Sequence, residues 1–164
     1  MRFTVEQRFG TDPDETARAF TEPELYAGFA DLPKVSVPDV LACERDGEQV
    51  RLRIRYRFAG DLSSAARAVI DPARLSWVDE STHDLERRHV RFVLRPDHYA
   101  DRFRCSGDYR IEAVGEGCRR DATIDLKVSA PFVGGAVERA IASGLREHLA
   151  DEARVVEAYL AARR

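Results

Sequence analysis

Apolar and polar residues alternate from the start of the chain. Phe3, Val5, Gln7 and Phe9 share one face, which predicts a strand over residues 2–9. Asp12 stands where a helix needs a cap, and Pro13 suits a first helical position. Two short helices follow, over residues 13–20 and 23–30, with Thr21 as the second cap. Ala19, Phe20, Leu25, Tyr26 and Phe29 supply their apolar contacts, and Leu32-Pro33 ends the unit.

Asp46-Gly47 is a strong two-residue hairpin signal. Folding about it pairs Cys43 with Val50, Leu41 with Leu52, Val37 with Tyr56 and Val35 with Phe58. These and Ile54 fall on one face, while Arg51, Arg53, Arg55 and Arg57 fall on the other. A slip of one residue would bury four arginines, so the choice of face is well specified. Residues 63–70 read either as a short helix or as irregular chain. Residues 74–86 and 88–95 predict two more strands. A second hairpin, 103–114 with 118–130, turns at Glu116-Gly117 and pairs Ile111 with Ala122, Tyr109 with Ile124, Gly107 with Leu126 and Cys105 with Val128. Arg104, Arg110, Asp121 and Asp125 fall on its other face.

Beyond Pro131 the period changes. Val133, Val137, Ile141, Leu145 and Leu149 recur every fourth residue, and Val156 and Leu160 extend the stripe. A helix over residues 132–162 would be on the order of 45 Å long, enough to cross a whole sheet.

The 164 residues fit one domain with a sizeable core, and we read 1–164 as that domain. A hydrophobic content of 44% with 34% charged residues is globular composition with a charged surface. The net charge of −3, with signs intermixed, gives no reason to expect nucleic acid as a partner. No charged-then-apolar leader follows Met1, and no apolar run reaches bilayer length. Three scattered cysteines, Cys43, Cys105 and Cys118, fit free thiols in a reducing cytoplasm, with 43 and 105 as small core residues.

The opening MRFTVEQRF, the helical TDPDETARAFTEPELYAGFA and the closing APFVGGAVERAIASGLREHLADEARVVEAYL give an element order that resembles the START-like superfamily (SRPBCC, helix-grip, Bet v 1-like). The likeness is nearest to an uncharacterised branch near the polyketide cyclase/dehydrase-like proteins. It implies an α+β helix-grip fold: a seven-stranded antiparallel sheet, ordered 1-7-6-5-4-3-2, wrapped around a long C-terminal helix, with two short helices after strand 1. It also implies a cavity between sheet and helix that takes a hydrophobic small molecule, a lipid or an aromatic, polyketide-like compound.

The residues can be weighed against that space. If Leu75, Trp77 and Leu85 point inward, Asp79, Ser81 and His83 point inward too. Buried polar groups need partners, so a hydrated or ligand-filled interior would account for them, as would a strand whose middle lies at an open end of the sheet. His148 falls within the apolar stripe, one turn before Glu152. The two fit an acid–base pair facing the cavity, or an i,i+4 pair at its mouth. The arginine ladder fits a solvated outer face or a partner surface. No phosphate loop, nucleophile elbow, zinc motif or other cofactor signature is present, and His83, His89 and His98 lack ligand spacing.

The expected function is therefore binding of a hydrophobic ligand by Trp77, Tyr109, Val137, Ile141 and Leu145, with Asp79, His83 or His148 orienting it and no cofactor or metal. The alternatives are a cyclase- or dehydratase-type enzyme using the same polar groups, and a protein-partner module using the arginine face.

Overall fold

The computed structural model describes residues 1–68 and 70–163. Val69, inside the ambiguous stretch 63–70, and Arg164 lie outside them. The strands are β1 (Arg2–Phe9), β2 (Asp39–Asp46), β3 (Gln49–Arg57), β4 (Ser76–Asp84), β5 (His89–Pro96), β6 (Phe103–Val114) and β7 (Gly117–Val128). They form one antiparallel sheet in the order β1-β7-β6-β5-β4-β3-β2. Helices α1 (Pro13–Ala19) and α2 (Pro23–Ala27) follow β1. A short α3 (Ser64–Arg67) interrupts the connection from β3 to β4, and α4 (Gly134–Ala161) closes the chain. This is the helix-grip architecture. No helix among the described residues is long and apolar enough to cross a membrane.

Local chemistry explains the starts and stops. Asp12 Oδ1 accepts from the amides of Asp14 and Glu15, at 2.8 and 3.2 Å, with Pro13 at the first helical position. Thr21 does not cap α2. Its hydroxyl donates back to Arg18 O at 2.7 Å, and Glu22 precedes α2 without a side-chain cap. Ser63 caps α3, its Oγ accepting from the Ala66 amide at 3.3 Å. At the start of α4, a Cβ on Gly134 would stand 2.7 Å from Val128 O, so only glycine lets the helix begin so close to β7.

The two tight hairpins turn one residue earlier or later than the dipeptides predict, about glycines rather than about Asp46-Gly47 and Glu116-Gly117 themselves. The loops are Gly47-Glu48 and Gly115-Glu116, each opening on a glycine with φ near +60° (58° and 60°). Positive φ at the first loop position is what a type II′ turn requires, whereas Asp-Gly signals type I′. The result is a shift of two residues: Cys43 faces Leu52, Tyr109 faces Ala122, and Ile111 faces Arg120. A shift of two preserves faces, so the buried and exposed sides stay as predicted along β3. Val50, Leu52, Ile54 and Tyr56 are buried, and Arg51, Arg53 and Arg57 are exposed. In β2 a bulge between Val40 and Ala42 moves the register one residue back towards the expected one and leaves Leu41 exposed; beyond the strand Val35 bridges Phe58, as expected. Cys43, on this edge strand, is also exposed rather than a core residue.

The outer arginines meet acids on neighbouring segments: Arg53 with Glu80 at 3.4 Å, Arg55 with Asp97 at 3.1 Å and Arg57 with Asp39 at 2.8 Å. Inside, two apolar clusters hold α4 in the sheet. One joins Phe9, Phe20, Leu25, Phe29 and Leu52 to Val156 and Leu160. The other joins Phe3, Phe92, Cys105 and Ile124 to Ala142 and Leu149.

Candidate functional site

The grip does not close along its whole length. Between the first half of α4, the inner face of the sheet and the connection from β3 to β4 lies a cavity of about 420 Å³. Its walls are largely apolar: Trp77 and Leu94 from the central strands, Phe103 and Cys105 from β6, Ile141 and Leu145 from α4. Helical spacing explains the last part. Ile141, Gly144, Leu145 and His148 fall on one face over two turns and all border the space. Trp77 is braced from behind by Tyr56, the rings stacked at 5.8 Å and 13°. Charged groups stand at the edge, where Lys34 is ion-paired with Glu147 of α4 and Asp61 and Arg102 are exposed.

Deeper along β4 the inner face turns polar, as its alternation predicts. Asp79 is flanked by Ile54 on β3 and Leu94 on β5, and Leu94 is opposite Cys105. It thus shares a cross-strand row with two cavity-wall residues and sits two residues from a third, Trp77. Its Oδ1 is buried without a hydrogen-bond partner. Burial first, then the nearby Glu152 carboxylate, raises its pKa from 3.8 to about 7, against the pull of Arg120. Next along the strand, Ser81 Oγ and His83 Nε2 are 3.1 Å apart. Burial, with Arg120 adding to it, lowers His83 to about 3, so this histidine stays neutral.

A charged plug ends the polar stretch. Arg120 Nη1 donates to Glu152 Oε1 and to Gln7 Oε1, both at 2.8 Å, while Gln7 Nε2 donates to Leu149 O at 2.6 Å. The guanidinium is sandwiched between the rings of Phe20 and Tyr109, 3.9 and 3.7 Å from their centroids. Tyr109 also packs on Phe92, with centroids 5.0 Å apart.

Of the residues singled out from sequence, Trp77, Ile141, Leu145 and His148 line the cavity. Asp79, His83, Tyr109 and Val137 do not. Asp79 lies beside the wall, His83 and Tyr109 lie at the plug, and Val137 is packed into the core. The His148–Glu152 pair does not form. Glu152 turns to Arg120, and His148 Nδ1 is buried without a partner, its pKa lowered by burial. Arg120 was not singled out from sequence, although its position held a signal. It shares parity with Cys118, Ala122 and Ile124, the inward set of β7. Leu94, Phe103 and Cys105 carried no such signal, because an apolar inner position reads alike whether it packs or borders a void. Among the described residues, no group of three or more His, Cys, Asp or Glu side chains is arranged to hold a metal ion.

The family model described as "Protein of unknown function (DUF2505)" matches residues 4–160. No curated protein matches the sequence. Solved structures share the fold. The protein TTHA0849 from Thermus thermophilus is 20% identical, with a TM-score of 0.70 and 99% of each chain covered. The Zhui aromatase/cyclase from Streptomyces sp. R1128 is 13% identical, with a TM-score of 0.61 over 99% of this chain and 93% of that one. Norcoclaurine synthase from Thalictrum flavum is 16% identical, with a TM-score of 0.61 over 98% and 86%. At these identities the likeness carries the fold, and the START-like resemblance of the sequence is borne out at that level.

Proposed function

The chain belongs to the DUF2505 family, and from that premise we propose that it binds one hydrophobic small molecule, lipid or aromatic, between sheet and C-terminal helix. The observation that carries this reading is the cavity of about 420 Å³ with apolar walls. That size falls within the range of pockets that enclose drug-sized ligands. Trp77 offers a braced aromatic face, and Leu94, Phe103, Ile141 and Leu145 supply further apolar surface. His148 and the nearby Asp79 are the polar groups available to orient a ligand. We take residues 1–164 to work as one unit in the cytoplasm, with Cys43, Cys105 and Cys118 as free thiols.

Two experiments test the reading. A neutral, polarity-sensitive naphthalene dye should bind the native protein with saturable one-site behaviour and lose that site on denaturation. Native mass spectrometry of freshly purified protein should reveal a copurified apolar molecule or an empty protein that accepts one. A native protein that binds neither dye nor ligand overturns the proposal.

One observation favours a second reading, an enzyme of the cyclase or dehydratase kind. Asp79, unpartnered and with its pKa near 7, is poised to take and return a proton. The likeness to an aromatase/cyclase is compatible with this reading. It predicts that α-tetralone bound in heavy water exchanges its acidic C–H protons faster than in buffer, and that Asp79→Asn abolishes the acceleration. Binding without exchange leaves the carrier reading standing alone.

A further inference from the structure

We propose that the ligand carries a protonated amine on its apolar body, with Asp79 as the counter-ion that receives it. This deepens the reading of the cavity as a hydrophobic binding site and rests on it. Asp79 Oδ1 is buried and makes no hydrogen bond within the protein. The other buried acid facing it, Glu152, is already neutralised by Arg120 at 2.8 Å. The interior polar cluster is therefore one positive charge short when Asp79 is ionised. A ligand ammonium supplies that charge and donates to the empty oxygen.

The surroundings fit a cation better than a second neutral donor. Trp77 lies two residues away on the same face of β4 and borders the cavity, and Tyr56 is stacked behind it. An ammonium reaching Asp79 from the cavity passes the indole face, which attracts cations. Leu94 and Cys105, in the same cross-strand row as Asp79, form the adjoining wall and receive the apolar body.

The titratable groups around Asp79 are Glu80 beside it on β4, Tyr56 on β3, Cys105 and Tyr109 on β6, Arg120 on β7, Tyr26 on α2 and Glu152 on α4, with His148 on the cavity wall. Burial raises the tyrosines and Cys105, and it lowers His148. Asp79, brought by burial to about 7, is left as the group that changes charge near neutrality.

The test uses two probes of the same shape, naphthylethylamine and naphthylethanol, titrated into the intact protein by fluorescence. An alkyl amine keeps its proton up to about pH 10, as lysine does. Its affinity should therefore rise roughly tenfold from about pH 6 to pH 8 as Asp79 ionises, while the alcohol's changes little. At pH near 8 the amine should bind at least tenfold more tightly than the alcohol. Asp79→Asn should erase both the preference and the pH dependence. Equal affinity of the two probes near pH 8, or an amine preference that survives Asp79→Asn, overturns the proposal and leaves the cavity reading intact. Failure of both probes to bind overturns the two together. The pH profile of the wild-type protein decides the matter independently of the variant.

Discussion

Arg120 Nη1 and Glu152 Oε1 meet at 2.8 Å in the interior, tying β7 to α4 behind the cavity. Both side chains are buried, so each desolvation cost is offset chiefly by the other. Removing one partner leaves an unpaired buried charge. Glu152→Leu should therefore cost about 3–5 kcal/mol in urea denaturation. The double variant Arg120→Met with Glu152→Leu should recover most of that loss, because apolar groups of similar volume replace the pair. If the double variant is no more stable than Glu152→Leu alone, the plug is held by something other than charge pairing.

Asp79 and His83 give the interior two opposing pH dependences. Asp79 holds its proton in the folded state up to about pH 7, while the unfolded chain releases it near 3.8. Across that window the folded state binds the extra proton, so stability falls as pH rises, by at most roughly 4 kcal/mol. His83 works in reverse. Folded it stays neutral to about pH 3, whereas unfolded it is protonated below 6.5, so stability falls as pH drops through that range. The two largely cancel in the wild-type protein. Asp79→Asn removes the first, so the variant should gain stability relative to wild type above pH 7 and show a steeper acid-side decline. Thermal melts across pH 4–8 check this; identical profiles for the two proteins would show that Asp79 is not desolvated.

The fold was legible because its signals are periodic. Period 2 placed the arginines of β3 outside and Trp77, Asp79, Ser81 and His83 inside, and an i+4 stripe drew α4. Register was less legible because either glycine-containing turn would satisfy the alternation, and a shift of two residues leaves every face unchanged. The bulge that exposes Leu41 has no marker in the sequence. The helical side of the site was readable, since Ile141, Leu145 and His148 are spaced to share a face. The depth of Asp79 relative to Trp77 was not, because parity says which side a residue faces and not where the helix ceases to cover it.

The thiols follow the corrected register. Cys105 and Cys118 are buried, and burial pushes Cys105 up to about 12, so neither should react in the native state. Cys43, on the edge strand, is exposed. A thiol reagent should label one cysteine in native protein and three after denaturation. Mass mapping should place the first label on Cys43. Rapid native labelling of Cys105 would mean that the cavity admits the reagent.

The cavity's helical wall provides the sharpest check on function. Ile141 and Gly144 both border the space, and a Cβ at Gly144 would meet nothing within 4 Å. A glycine within a helix costs about 1 kcal/mol relative to alanine. Gly144→Ala should therefore stabilise the protein by about that amount, with little effect on an apolar probe, because one methyl removes little volume. Gly144→Leu and Ile141→Trp place bulk where the ligand would lie. Each should weaken probe binding at least tenfold while the protein still unfolds cooperatively, since the added bulk has the cavity to extend into. A structural role alone predicts the opposite ranking. If the space were ordinarily closed, Ile141→Trp would overpack it and cost about 1–3 kcal/mol, as enlarged core residues do. Probe affinity and unfolding free energy, measured on the same three variants, thus separate an open binding cavity from a collapsed core.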